Sequence, residues 1–179
     1  MKFLLMIMAI IFLSSFAFTD SLYNYSFTGI DGTTHSFNEY QGKKILIVVL
    51  PSSQTAEDST YLTRIDSIAQ ANTSQLITIA VPSYEDGYTG DTLTELPQWY
   101  LSILSSSVIL TQGMYTHKAS DTLQNPLFSW LTTTTLNNHF DEEVGGPGEM
   151  YFINEQGELN GVFGPEAKWS NKIVNRMLQ

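Results

Sequence analysis

The stretches ILIVVLP (residues 45–51) and LITIAVP (residues 76–82) decide the fold of this chain. Both are almost continuously apolar and rich in β-branched residues, which is typical of strands covered on both faces of a sheet. Between them, residues 57–71 carry apolar side chains at helical spacing behind the acidic pair Glu57 and Asp58, which predicts an amphipathic helix. Strand, helix and strand in this order predict a βαβ unit with a right-handed crossover.

Two β-hairpins are predicted. In residues 22–27 and 33–37 apolar and polar side chains alternate, and the apolar residues 150–153 and residues 159–163 flank a turn. Asp31 and Gly32 form the turn of the first hairpin. Residues 154–157 form the turn of the second. The chain therefore predicts antiparallel strands on both sides of the βαβ unit.

Three further helices are predicted. Residues 96–104 form one, and Asn125 followed by Pro126 has the form of an N-cap and first helical position. The β-branched polar residues 132–135 end that short helix. Pro165 opens a C-terminal helix. A mixed sheet with helices on both faces buries both apolar strands, so the predicted fold class is α/β.

The first 17 residues have the pattern of a secretory signal peptide. Lys2 supplies a positive charge, residues 3–13 are apolar, and Ser15 and Ala17 are small residues at a cleavage site. The apolar run is shorter than the roughly 20 residues that span a bilayer. We therefore expect cleavage after Ala17, a mature domain of residues 18–179 without a membrane span, and a secreted or periplasmic location.

Composition excludes several functional classes. The 179 residues include 8 Lys plus Arg against 18 Asp plus Glu, a formal charge of −10, so no basic surface is available for a nucleic acid. The 42% hydrophobic fraction suffices for a packed core. The cysteine count is zero, which rules out disulfides, thiolate nucleophiles, cysteine-based zinc sites and iron–sulfur clusters within this chain.

Several local strings have a shared order and spacing: LYNYS at 22–26, YQGK at 40–43, NPLFSWL at 125–131 and NEQGE at 154–158. Together with the order of elements, they resemble the glutathione peroxidase branch of the thioredoxin fold over residues 22–178. The resemblance implies a thioredoxin-like fold with an N-terminal hairpin. The wider thioredoxin-like set of secreted reductases and peroxiredoxins shares the same core and is the alternative parent.

The catalytic positions that the resemblance implies carry other residues here. Gln54 falls on the peroxidatic cysteine or selenocysteine, and Glu85 falls on the glutamine that helps to polarise it. Gly146 and Pro147 fall on the tryptophan and asparagine that complete the family's site. Peroxide reduction needs a thiolate or selenolate that is oxidised and then reduced again. An amide cannot do this, so we expect no catalytic residue, no cofactor and no thiol peroxidase activity.

The vacated active-site region is instead the candidate binding mouth. Its candidate residues are Ser52, Ser53, Tyr84, Glu85 and Trp99. Aromatic and acidic side chains on loops are suited to holding a ligand or partner. A solvated variable loop is the competing interpretation. A serine nucleophile is disfavoured, because the G-x-S-x-G elbow is absent and loop or capping roles explain both serines.

Three weaker features are also present in the sequence. His139 and Asp141 are candidate divalent-metal ligands or members of an exposed acidic loop. Pro147 fits a cis peptide bond that faces the mouth or a trans bond in a glycine-rich loop. Asn24 and Asn72 lie in glycosylation patterns that matter only in a eukaryotic secretory pathway.

The leading hypothesis is an exported, catalytically degenerate, thioredoxin-like domain that binds a small molecule or protein. The alternatives are a thiol or glutathione peroxidase-family oxidoreductase acting in oxidative stress, and a metal-dependent enzyme built on His139 and the acidic loop.

Overall fold

The computed structural model describes residues 20–89, 95–165, 167 and 171–178. Its strands are β1 (Ser26–Thr28), β2 (Thr34–Ser36), β3 (Lys44–Leu50), β4 (Leu76–Pro82), β5 (Val108–Leu110), β6 (Met150–Ile153) and β7 (Leu159–Phe163). Its α-helices are α1 (Ala56–Ala71), α2 (Glu95–Ile103), α3 (Pro126–Thr132), α4 (Thr134–Asn137) and α5 (Asn171–Leu178). Three short 3-10 helices span Leu22–Asn24, Phe37–Tyr40 and Lys118–Leu123. The predicted signal peptide lies outside the described residues.

Five strands form a mixed sheet in the order β5-β4-β3-β6-β7, and β1 and β2 form a separate antiparallel hairpin. β3 pairs in parallel with β4, and β4 with β5, whereas β6 runs antiparallel to both β3 and β7. The predicted βαβ unit and C-terminal hairpin are therefore present. The α/β fold class is confirmed.

Both faces of the central sheet are buried, as the two apolar runs predict. Alternate residues of β3 enter two separate cores: Ile45, Ile47 and Val49 on one face, and Leu46, Val48 and Leu50 on the other. Residues of α3 cover the first face, with Phe128 and Trp130 fully buried. Residues of α1 and α2 cover the second. A central strand with two buried faces is thus the physical reason for the continuous apolar run.

The first predicted strand is shorter than expected, because Leu22–Asn24 forms a 3-10 turn. The Ser21 hydroxyl accepts a hydrogen bond from the Tyr23 amide at 3.3 Å, and Leu22 is fully buried. A capped turn that buries one leucine replaces the alternating strand. The hairpin itself is present, with Phe27 opposite His35.

Two other elements depart from the sequence prediction. β5 was not predicted, since a strand of three residues carries too little periodicity to be recognised. The polar residues after Thr132 do end α3, but they continue into the single turn α4. The buried Asn137 amide stabilises this turn by donating to the carbonyl oxygens of Trp130 and Leu131 at 2.6 and 3.1 Å.

The C-terminal helix begins later than the sequence predicts. α5 starts at Asn171, whereas Pro165 lies in a turn. Residues 166 and 168–170 are outside the described part of the chain. Among the helices that the structure describes, none combines the length and the apolar character needed to cross a bilayer.

Candidate functional site

Three loops converge at one edge of the sheet. Leu50 of β3 lies beside Pro82 of β4 in parallel register, so residues 51–55 and 83–88 leave the sheet together. A third segment, residues 145–149, pairs with the end of β3, and its Gly148 amide donates to the Val49 carbonyl at 2.8 Å. We call these three segments the mouth. It is the region in which the sequence places its candidate site.

Gln54 lies in the first segment of the mouth and is exposed to solvent. Its φ of 55° is in the left-handed region, which is uncommon for a residue other than glycine. Thr55 follows as the N-cap of α1, and its hydroxyl and backbone amide exchange hydrogen bonds with Asp58, both at 3.1 Å. The slot that the resemblance assigns to the nucleophile therefore precedes a capped helix and holds an amide.

Ser52 joins the first two segments of the mouth, because its hydroxyl donates to the Asp86 carbonyl. Tyr100 of α2 stabilises the same segment, because its hydroxyl donates to the Pro51 carbonyl at 2.8 Å. Trp99 packs on Tyr100 with a ring separation of 5.2 Å and is partly buried in the core. Ser52 and Trp99 therefore make structural contacts, whereas Ser53 is exposed.

Glu85 connects loop 83–88 to the segment that follows β5. Its carboxylate accepts hydrogen bonds from the Thr116 amide at 3.1 Å, the His117 amide at 3.2 Å, the Ser83 hydroxyl at 3.1 Å and the Ser120 hydroxyl. Partial burial alone would raise the pKa of Glu85, but these hydrogen bonds outweigh it and lower the pKa. Glu85 is thus an ionised anchor between two segments.

Tyr84 belongs to an aromatic cluster beside the mouth. Its ring lies 4.9 Å from that of Tyr115 and 5.8 Å from that of Tyr88. Gly113 leaves the space that these rings occupy, since a Cβ at this position would lie only 2.3 Å from the Tyr88 ring. The sequence does not reveal this cluster, because Tyr115 is distant along the chain and arrives through the unpredicted β5.

His117 and Asp86 form a pair that the sequence does not reveal. Their Nε2 and Oδ2 atoms are 3.5 Å apart and buried, and neither makes a hydrogen bond within the described residues. In the sequence, His117 has no neighbouring motif. The turn after β4 and the strand β5 bring the two residues together.

Glu149 is a buried acid that the sequence does not reveal as part of the site. It is 3% exposed, accepts from the Tyr151 hydroxyl at 2.6 Å and also accepts from the Gly145 amide. Burial raises the pKa of Glu149 above its usual range, although the hydrogen bonds from Tyr151 and Gly145 oppose this effect. Glu149 holds the third segment of the mouth in place.

A groove of about 210 Å³ lies between the first and third segments. Its lining residues are Pro51, Ser53, Glu57, Asp58, Tyr61, Pro147, Gly148 and Pro165. The Tyr61 hydroxyl donates to the Gly148 carbonyl at 3.1 Å, which connects α1 to the opposite wall. The groove therefore combines proline and tyrosine surfaces with two acidic residues from the first turn of α1.

Pro147 contributes to one wall of this groove between Gly146 and Gly148, whose φ values are 113° and 97°. The described residues contain no cis peptide bond, so the Pro147 bond is trans and the cis interpretation is wrong. The two left-handed glycines turn the chain without it.

The proposed metal ligands His139 and Asp141 have other surroundings. Asp141 pairs with the Lys118 ammonium, and Glu143 accepts from the amides of Lys118 and Ala119 at 2.8 and 3.2 Å. His139 lines a separate cavity of about 230 Å³. Among the described residues, no three His, Asp or Glu side chains are grouped so that they could hold a metal ion.

No protein-family model and no curated protein matches this sequence. Solved structures match its fold. T. cruzi GPX1 is 16% identical with a TM-score of 0.64, covering 89% of this chain and 94% of its own. The apo form of Trgpx is 16% identical with a TM-score of 0.62, covering 88% of this chain and 92% of its own.

A third match is the exposed lipoprotein thioredoxin Etrx1 of Streptococcus pneumoniae. It is 19% identical with a TM-score of 0.50, and the match covers 86% of this chain and 96% of that chain. Such identities establish the fold alone. The chain thus has a thioredoxin-like fold with glutathione peroxidase-like structural neighbours, and it contains no cysteine.

Proposed function

We propose that this protein is an exported, non-catalytic binding module whose ligand site is the groove between the first and third segments of the mouth. The absence of cysteine from a fold whose neighbours include a thioredoxin carries the proposal. No side chain of this chain can cycle between thiolate and sulfenic acid. The apolar leader, together with neighbours described as an exposed lipoprotein and as a secreted disulfide oxidoreductase, supports export.

The groove indicates the chemistry of the ligand. Prolines and Tyr61 supply apolar surface, while Glu57 and Asp58 supply negative charge at one side. The chain as a whole carries a net charge of −10. A ligand with a positively charged group on an apolar stem is complementary to these features, and a lysine or arginine side chain of a partner segment has this form. We infer that the occupant is a basic peptide segment.

Binding of two matched fluorescent peptides tests this function. The peptides are extended nonamers of alternating lysine and alanine, and of alternating glutamate and alanine. We expect only the lysine peptide to bind. Glu57→Gln should weaken that binding several-fold, and Ser53→Trp, which places a ring in the groove, should abolish it.

The matched control is Glu95→Gln in the first turn of α2, outside the groove lining. It removes the same charge and should bind like the wild type. If Glu57→Gln and Ser53→Trp also bind like the wild type, attraction to the overall charge explains the binding and the groove proposal is wrong.

The two enzymatic alternatives lack a supporting contact. A peroxidase would need a thiol from another molecule, since residue 54 is an amide. A metal-dependent enzyme at His139 would need Asp141 as a ligand, but the Asp141 carboxylate already pairs with the Lys118 ammonium. The binding function is the one that the mouth supports best.

A further inference from the structure

We propose that His117 and Asp86 act as a proton-operated clamp that fixes loop 83–88, the second segment of the mouth, to the residues after β5. The clamp adds regulation to the domain, and its test needs no ligand. Its failure would therefore leave the proposed binding function untouched, and the reverse also holds.

The geometry of the pair carries this proposal. The two facing atoms are 3.5 Å apart and shielded from solvent, and neither has a hydrogen-bond partner within the described residues. A buried carboxylate oxygen without a donor is unfavourable, and so is a buried imidazolium without an anion. Protonation of the imidazole gives each atom an oppositely charged partner, which strengthens the contact.

Several carboxylates lie around His117. Asp86 and Glu85 face it from loop 83–88, and the Glu85 carboxylate accepts from its backbone amide. Glu143 and Glu149 interact with the imidazole electrostatically from the segment before β6 and from the third segment of the mouth. These carboxylates outnumber the cation that neighbours His117 in the chain, which is Lys118.

Lys118 follows His117 directly, but its ammonium pairs with Asp141. Glu142 belongs to the same acidic region, because it acts electrostatically on Glu149. The imidazole therefore lies in an acidic region of the protein. Histidine is the side chain that ordinarily gains its proton between pH 5 and 8, so the clamp operates in that interval.

The consequence concerns the walls of the mouth. Asp86 is tied to the first segment, since its carbonyl accepts from the Ser52 hydroxyl. Its carboxylate also lies near Gly146 of the third segment, 4.0 Å from where a Cβ would be. Closing the clamp fixes Asp86 and with it the junction of all three segments. Because the closed contact needs a proton on the imidazole, we expect the added protection at low pH and its loss as pH rises.

Hydrogen exchange of the purified protein at pH 5.5 and pH 8 tests the clamp, with rates corrected for intrinsic exchange. The reporting amides are Asp86, Gly87 and Tyr88, which bond within the loop. We expect about ten-fold more protection at pH 5.5, because a charge-assisted hydrogen bond has an effect of at least that order. His117→Gln should remove this difference.

Asp86→Asn is a second variant that keeps the loop volume and removes the charge, and it should also remove the difference. His139→Gln is the matched control, since His139 is an exposed histidine in another cavity. It should behave like the wild type. A wild-type protection that does not change with pH, or a full ten-fold change that persists in His117→Gln or Asp86→Asn, would overturn the proposal.

Discussion

Replacing Glu85 by alanine should destabilise the protein substantially, although this residue is exposed. The two backbone amides of Thr116 and His117 would lose their acceptor, and Thr116 is fully buried. A hydrogen bond to a charged acceptor contributes about 1.5–3 kcal/mol. The lower limit applies here because solvent reaches the carboxylate. Two such bonds give a loss of about 3 kcal/mol, or roughly 6–12 °C in Tm.

The two hydroxyl donors add little to this loss. Ser83 retains the Thr116 hydroxyl as a partner at 3.0 Å, and Ser120 is half-buried, so that water can replace the lost acceptor. The variant Glu85→Gln keeps one acceptor oxygen and should lose about half as much as Glu85→Ala. Glu39→Ala, at an exposed glutamate in the 3-10 helix after β2, is the control and should change stability by less than about 0.5 kcal/mol.

Urea unfolding at pH 7 and pH 3.5 measures the effect. The pKa of Glu85 is lowered on folding, so its stabilisation is present above the ordinary value of 4.5 and lost as pH falls through the folded-state value. The difference between wild type and variant should therefore narrow at pH 3.5. A loss below about 0.5 kcal/mol at pH 7 would refute the reasoning that Glu85 anchors two loops.

Three further substitutions give distinct outcomes. Thr78→Val should stabilise the protein by about 1 kcal/mol in urea unfolding, because the buried Thr78 hydroxyl has no hydrogen-bond partner within the described residues. The control Thr116→Val removes a hydroxyl that is hydrogen-bonded to Ser83 and should destabilise the protein. Burial raises the pKa of Glu149, so the folded wild type keeps this proton longer than the unfolded chain, and its stability should fall as pH rises from 4.5. Glu149→Gln should make this fall smaller, and an unchanged dependence of stability on pH would contradict the prediction. Gln54→Cys should react readily with a thiol reagent because residue 54 is exposed before a helix, and an inert thiol would place it elsewhere.

The main elements of the fold follow from the sequence because their patterns are strong. β3 is apolar on both faces and is buried on both faces. α1 begins at a capping box, and its first turn contains the acidic residues from which the sequence predicts the start of the helix. Asn125 caps α3 as predicted, accepting from the Leu127 amide at 2.9 Å. In each case local chemistry and tertiary packing favour the same structure.

The elements that sequence reasoning missed depend on long-range contacts. β5 has three residues and gains its identity by pairing with β4. The Leu22–Asn24 turn is fixed partly by Trp130, whose ring nitrogen donates to the Asp20 carbonyl at 2.6 Å. Such partners are 110 residues apart, so no local pattern reports them.

The candidate site was predictable in location and less so in chemistry. The ends of β3 and β4 indicate where a mouth must form, since parallel strands end at the same edge. The roles of the side chains depend on segments that arrive from elsewhere. His117 reaches Asp86 through the segment after β5, and Glu149, the last residue of the third segment, is buried and accepts from the Gly145 amide.

Peroxide consumption by the purified protein, with glutathione or thioredoxin as reductant, tests the absence of thiol redox chemistry most directly. The absence of cysteine predicts that hydrogen peroxide disappears at the rate of the buffer with reductant alone. A rate that exceeds this background in proportion to protein concentration would contradict the account.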